Sequence, residues 1–267
     1  MSGVLLTFVV YKPTTMKYRM LFLAFCFVAA KSFSQRAAAD IIPTARGPLT
    51  VQPVTHASLV LSLKELVIYV DPSGAAKFKG LPAPDMILIT DIHGDHFDTS
   101  TLAVVMTPNT VLVVPQVVAD KLPASYDKSR VVVMKNGDQV NRSGITITAT
   151  PMYNLPESPT AMHTKGRGNG YVLNIGGKNI YLSGDTQGIP EMRSLQNIDV
   201  AFVCMNLPYT MDVKEAADAV LAFRPKIVYP YHYRGKGGLS DVNEFKSLVN
   251  AGNKGIEVRL RDWYPAN

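Results

Sequence analysis

TDIHGDH, residues 90–96, is the stretch that decides the fold. It follows MILIT (86–90), a short apolar run of the kind buried on both faces of a sheet. It packs Asp91, His93, Asp95 and His96 into six positions. A histidine pair three apart just after a buried strand is a poor core feature. Loops at the carboxyl ends of strands are where α/β proteins place their sites. The run reads as a metal site, against a bland reading as a polar turn with incidental histidines.

Working outward, β-type runs bounded by turn residues recur along the chain. VTHASLVLSL (54–63) and ELVIYVDP (65–72) read as a hairpin turning near Lys64. VLVVP (111–115), RVVVMK (130–135) and ITITATPMY (145–153) follow. The second half repeats the style with YVLNI (171–175), NIYLSGD (179–185), IDVAFVCMN (198–206), KIVYPYH (226–232) and IEVRL (256–260). Two amphipathic helices stand out. One runs from Asp212 to about Arg224, with Asp212 and Glu215 as a capping pair and Pro225 beyond. The other runs from Ser240 to about Asn250. The pattern predicts one α/β (α+β) domain of two sheets covered by helices.

Composition narrows the function. The chain has 267 residues, 47% hydrophobic and 18% charged, a globular profile. The net charge is +6, but residues 1–34 carry Lys12, Lys17, Arg19 and Lys31 and no acid. Without those four of the 27 basic residues, 23 stand against 21 acidic ones, a net of +2. No clustered basic face is evident, so no nucleic-acid partner is expected.

Residues 1–34 read as a secretory leader. Lys17 and Arg19 precede an 11-residue apolar segment, MLFLAFCFVAA (20–30), too short for an ordinary membrane span. Ser32-Phe33-Ser34 is a small-x-small cleavage site. Met16 is where a leader of ordinary length would begin, and Phe25 before Cys26 argues against lipid modification. A retained anchor is the competing reading. The expectation is a periplasmic or secreted protein with no membrane anchor after cleavage. Residues 35–46 read as a linker, and 47–267 as the domain. Cleavage leaves Cys204 alone, so no internal disulfide is expected, and its apolar surroundings make it a buried small hydrophobe.

The later candidates are weaker one by one. His163 lies in a glycine-rich loop (AMHTKGRGNG), Asp185 at a strand end (YLSGDT) and His232 at another (YPYHY). Loop solvation, helix capping and aromatic packing are their bland accounts. What unites them is a position just past apolar strands. Together, TDIHGDHFD (90–98), His163, LSGDT (182–186) and His232 resemble a metallo-β-lactamase-fold hydrolase over residues 47 to 265. THASLVL (55–61) and VDP (70–72) also resemble the branch holding ascorbate-phosphate lactonases and N-acyl-phosphatidylethanolamine phospholipases.

The resemblance implies a four-layer αββα sandwich with the site at the edge between the sheets. It implies two divalent ions, Zn²⁺ first. One would lie on Asp91, His93 and His163, the other on Asp95, His96 and His232, with Asp185 bridging. The family pattern has histidine where this chain has Asp91. A carboxylate there is harder, so Mn²⁺ or Fe²⁺ also becomes an option. Three carboxylates and two divalent ions sum to +1.

The same resemblance places His56 and Asp71 near the site, Asp71 as an acceptor for a ligand imidazole. Lys165, Arg167, Tyr209, Tyr231, Tyr233 and Arg234 flank the ligands. Lys165 and Arg167 are candidates for an anionic group of the substrate, or are merely solvated. The implied chemistry is hydrolysis of an ester, lactone, amide or phosphodiester of a small molecule by a metal-activated water, with Asp95 handling the proton. Two alternatives stay open: an iron-containing redox protein of the same fold, and a non-catalytic protein with a partly degenerate site.

Overall fold

The computed structural model describes residues 36–265. The leader reading therefore lies outside the described residues. Among these, no helix is long and apolar enough to cross a membrane.

The first sheet is built from β1 (Asp40–Thr44), β2 (Gly47–Thr55), β3 (Ser58–Leu63), β4 (Leu66–Val70), β5 (Met86–Leu88), β6 (Val111–Val114) and β7 (Val131–Val133), in chain order. Helices α1 (Thr99–Val105) and α2 (Gln116–Ala119) lie in this half. The second sheet takes β8 (Gln139–Arg142), β9 (Ile145–Met152), β10 (Gly168–Ile175), β11 (Lys178–Leu182), β12 (Val200–Cys204) and β13 (Ile227–Tyr231). Helices α3 (Pro190–Arg193) and α4 (Val213–Phe223) interrupt it. A small ribbon, β14 (Arg234–Gly235) with β15 (Gly238–Leu239), and helix α5 (Val242–Gly252) precede its last strand, β16 (Glu257–Val258).

Both sheets share one pairing pattern. β1 to β4 pair antiparallel, then β4 to β7 parallel. β8 to β11 pair antiparallel, then β11, β12, β13 and β16 parallel. In the first sheet, β2, β4 and β5 therefore run the same way, and in the second β9, β11 and β13 do. The loops leaving these six strands carry every ligand candidate.

Period-two alternation puts each strand's side chains into two layers. Ile68 and Val70 of β4 face the core between the sheets, while Tyr69 faces outward. The outward face of the first sheet packs on Phe78, Leu102 of α1 and Val118 of α2. Val220 and Phe223 of α4 and Phe245 and Val249 of α5 pack with the second sheet. The result is the four-layer αββα arrangement.

Two expectations need correction. Residues 35–46 are not a linker throughout, because 40–44 form β1. Of these only Ile42 is buried, so the strand carries too little pattern to be read. Asp40 anchors it, accepting from the Tyr229 hydroxyl at 2.7 Å and from Arg261 Nη2 at 2.6 Å. Likewise, residues 54–63 are not one strand. Thr55 pairs with Ser58 across a tight turn, and His56 sits in it at φ 45°. The apolar character runs through the turn and hides it.

Helix α4 starts as expected, with Asp212 Oδ1 accepting from the Glu215 N–H at 2.8 Å. The Glu215 carboxylate does not close the box; it accepts from the Gly188 N–H at 2.8 Å. Helix α5 is capped by Asp241, which shifts its start to Val242.

Helix α1 was not foreseen. Asp98 caps it, accepting from the Ser100 and Thr101 N–H groups at 3.0 and 3.2 Å and from both hydroxyls. Slight burial would raise the Asp98 carboxyl, but these donors outweigh it and hold the group well below the usual carboxylate range. The cap is therefore stabilising above about pH 4, where the unfolded group is ionised, and fades as pH falls through the lower folded value. Asp98→Ala should cost about 1 kcal/mol at pH 7 in urea unfolding, with a smaller difference on acidification. A difference that stays constant down to strong acid would contradict this.

Candidate metal centre

Each candidate site residue lies in a loop that follows a strand. Asp71 follows β4, the 91–96 run follows β5, His163 lies between β9 and β10, Asp185 follows β11, and His232 follows β13. The backbone is strained here. His56, Asp71 and His232 have φ of 45°, 43° and 45°, three of the six non-glycine residues with positive φ among those described. Such conformations persist where surrounding bonds over-determine them. Asp71 N–H donates to Leu88 O at 2.9 Å, and His232 N–H to His56 O at 3.2 Å. Gly184 has φ 59°, and a Cβ there would lie 2.6 Å from Met152 Sδ. Only glycine lets the backbone place Asp185.

The structure gathers all seven expected ligands. Asp185 is at the centre: Oδ2 lies 3.4 Å from His96 Nε2 and 3.3 Å from His163 Nε2, and Oδ1 lies 3.4 Å from His232 Nε2. Asp95 Oδ2 is 3.3 Å from His232 Nε2. At the other end His93 Nδ1 is 2.5 Å from Asp91 Oδ2, and His163 Nε2 is 3.9 Å from the same oxygen. Asp91, His96, His163, Asp185 and His232 are all buried.

The imidazoles are held in defined tautomers. Asp71 Oδ2 accepts from His96 Nδ1 at 2.9 Å and from the Thr90 hydroxyl at 2.6 Å, and Oδ1 accepts from Thr90 N–H at 2.7 Å. This leaves the His96 Nε2 lone pair facing the cluster. Asn154 Oδ1 accepts from the His163 N–H at 2.8 Å, so it is an acceptor for His163 Nδ1 at 3.1 Å as well. Thus His163 Nε2 also points inward as a lone pair. Thr90 and Asn154 were missed; each is an ordinary polar residue after a strand, and only the fold gives it a partner.

Electrostatics follow from this packing. Burial alone would raise the Asp185 carboxyl, but His232, His96 and His163 overcome it and hold it well below its ordinary range. Burial would lower His96; Asp185 and Asp71 outweigh it and hold the imidazole well above its ordinary value, so an ion binding at Nε2 displaces a proton there. Burial and then His232 push His56 down to about 4.

Buried polar atoms are normally paired. His96 Nε2, His163 Nε2 and Asp185 Oδ1 are buried and have no hydrogen-bond partner. Two atoms ~2.0–2.2 Å from one ion at a tetrahedral angle lie ~3.3–3.6 Å apart. The spacings 3.4 Å (His96–Asp185), 3.4 Å (His232–Asp185) and 3.3 Å (His232–Asp95) all match. His96, Asp185 and His232, with Asp95 Oδ1 farther off at 3.9 Å from His96 Nε2, therefore form a set that can hold a divalent ion.

The remaining candidates scatter. The His56 ring meets His232 edge-on, with centroids 5.4 Å apart. Arg167 Nη2 donates to both Asp91 oxygens at 3.2 and 3.3 Å. Lys165 turns away to Glu157 at 2.9 Å and Glu191 at 3.3 Å. Tyr231 is buried beneath the site, where its hydroxyl oxygen accepts from Gly184 N–H at 3.1 Å. Tyr209 is half-buried and offers its carbonyl to Asn154 Nδ2 at 2.9 Å. Tyr233 is buried against Arg261 O, and Arg234 lies over the Tyr264 ring, 4.3 Å from its centroid.

Comparison with known proteins agrees with this geometry. The model of the beta-lactamase superfamily domain matches residues 50–232. A UPF0173 metal-dependent hydrolase of Pyrococcus abyssi is 31% identical over 197 residues, 72% of this chain and 84% of its own. One from Thermococcus onnurineus is 32% identical over 196 residues, with the same coverage. A crystal structure of a candidate metal-dependent hydrolase from Parabacteroides distasonis superposes with a TM-score of 0.75 at 36% identity, covering 84% of this chain and 98% of that one. Fold, ligand constellation and relatives converge: the chain belongs to the beta-lactamase superfamily, among the UPF0173 metal-dependent hydrolases.

Proposed function

We propose that the chain hydrolyses an ester, lactone, amide or phosphodiester bond of a small substrate at the Asp95–His96–Asp185–His232 cluster. The observation that carries this is that His96 Nε2 and Asp185 Oδ1, buried and unpartnered, stand with Asp185 Oδ2 and His232 Nε2 at tetrahedral spacing. A divalent ion held there supplies a water of lowered pKa, from ~15.7 towards ~7, and a Lewis acid for the substrate oxygen. Zn²⁺ suits two imidazoles and two carboxylates, and Mn²⁺ and Fe²⁺ accept the same donors.

The chain's own residues do the rest. Asp71 and Thr90 keep the His96 lone pair on the cluster. The Asp95 side chain is 43% exposed, against 5% for Asp185 and 0% for Asp91. It is the carboxylate a water can reach, so it orients the nucleophile and takes its proton. With residues 1–34 read as a leader, the enzyme works in the periplasm or outside the cell.

The test is a panel of lactones, β-lactams and phosphodiesters, assayed after chelation and after reloading with Zn²⁺, Mn²⁺ or Fe²⁺. At least one substrate should be turned over, only in the reloaded protein. Oxygen consumption by the iron-loaded form with no hydrolysis of any substrate would instead support the redox reading.

A further inference from the structure

The two ends of the cluster differ in one measurable way. Around Asp185, neighbouring donors stand at 3.3–3.4 Å, the edge of a coordination tetrahedron. At the other end, His93 Nδ1 and Asp91 Oδ2 are 2.5 Å apart. Even at the right angle of an octahedron, two atoms ~2.0–2.2 Å from an ion lie ~2.8–3.1 Å apart. The Asp91–His93 contact is thus closer than two ligand atoms of one ion can stand, with Asp91 Oδ2 and His93 Nδ1 set against each other.

A second observation is independent of the first. Asp91 is fully buried, and both of its oxygens accept from Arg167 Nη2, at 3.2 and 3.3 Å. The same Nη2 donates to Met162 O at 2.6 Å, which pins the guanidinium in place. A permanent cation therefore sits on the carboxylate expected to receive an ion. Breaking a buried pair of this kind leaves an uncompensated charge, so the pair resists displacement. Asp91, His93 and His163 do bring ligand atoms together, but with Asp91 held by Arg167 and set against His93 the uncommitted donors are His163 Nε2 and the shared Oδ2 of Asp185, where a site uses at least three from the protein.

Charge alone does not choose. Three carboxylates, two divalent ions and Arg167 sum to +2, and with one ion they sum to zero. Counting buried Asp71 makes these +1 and −1. The distances decide.

We infer that this chain holds one ion, at Asp95, His96, Asp185 and His232, and that the Arg167–Asp91 pair, with His93 set against it, takes the place of the second. The inference rests on the metal-dependent reading above and sets its stoichiometry. Arg167 is here a positioning residue that also fixes a positive charge beside the ion.

The test counts ions. Full-length mature protein is stripped with a chelator, reloaded with excess Zn²⁺, desalted and analysed for zinc per chain. In parallel it is loaded with Mn²⁺ and examined by electron paramagnetic resonance. The expected results are one zinc per chain and the signal of an isolated Mn²⁺. The double variant Asp91→His, Arg167→Gln should take up a second equivalent and show a spin-coupled pair. Two equivalents in the unaltered protein overturn the inference and leave the metal-dependent reading standing. No retained ion overturns both. A folded double variant that still holds one ion overturns the role given to Arg167. If that variant does not fold, the count in the unaltered protein still decides.

Discussion

Asp185→Ala should reduce ion retention more than ~100-fold and bring hydrolysis to background, because even loss of a supporting hydrogen bond outside the ligand set costs ~10–100-fold in metal affinity. The carboxylate is the hub of the cluster: it faces His96 and His163 through one oxygen and His232 through the other. Alanine removes both contacts and leaves three inward-facing imidazoles with no anion between them. The variant should keep its secondary structure, since Asp185 lies at the cluster and not in the core between the sheets. Retention of a tenth or more of the turnover, in protein shown by circular dichroism to be folded, would remove Asp185 from the mechanism.

The second large effect belongs to Asp71. Its carboxylate is fully buried and takes three hydrogen bonds, from Thr90 N–H, the Thr90 hydroxyl and His96 Nδ1. Asp71→Ala strands these donors in the interior, at about 1–3 kcal/mol for each buried group left unpaired. Asp71→Asn separates fold from function. Its amide oxygen can still accept from Thr90 N–H, but its NH₂ group would face His96 Nδ1. The imidazole then keeps its proton on Nε2, and the lone pair leaves the cluster. Asp71→Asn should therefore fold, lose much less stability than the alanine variant and bind its ion ~10–100-fold more weakly. Unfolding curves and Zn²⁺ titrations on the same samples check this. Unchanged ion affinity in Asp71→Asn would show that the tautomer is not what Asp71 controls.

Much of this was legible from the chain because the signals are local. The strands β4, β5 and β6 are short runs whose neighbours on the sheet are also apolar, so composition alone marks them. The candidate ligands sit one to eight residues past such strands or in the loop between two of them. What stayed hidden depends on partners far along the sequence. Strand β1 is held by Asp40 contacts to Tyr229 and Arg261, some 190 and 220 residues on. The turn at His56 is invisible because apolar residues continue through it. Arg167 looked like a candidate for a substrate anion; the fold spends it on Asp91, 76 residues upstream. A charged side chain advertises what it can bind but not which oppositely charged group the fold will bring to it.

The matched pairing pattern of the two sheets has a consequence for the cluster. Asp95 and His96 come from the first half, Asp185 and His232 from the second, so no ligand set is complete within either. The spacing between donors is therefore inherited from how far apart the sheets stand, and that distance is set by the interdigitated side chains of the core. The apolar filling works as a gauge block, setting from beneath, through residues such as Tyr231, the span of a polar site it takes no part in.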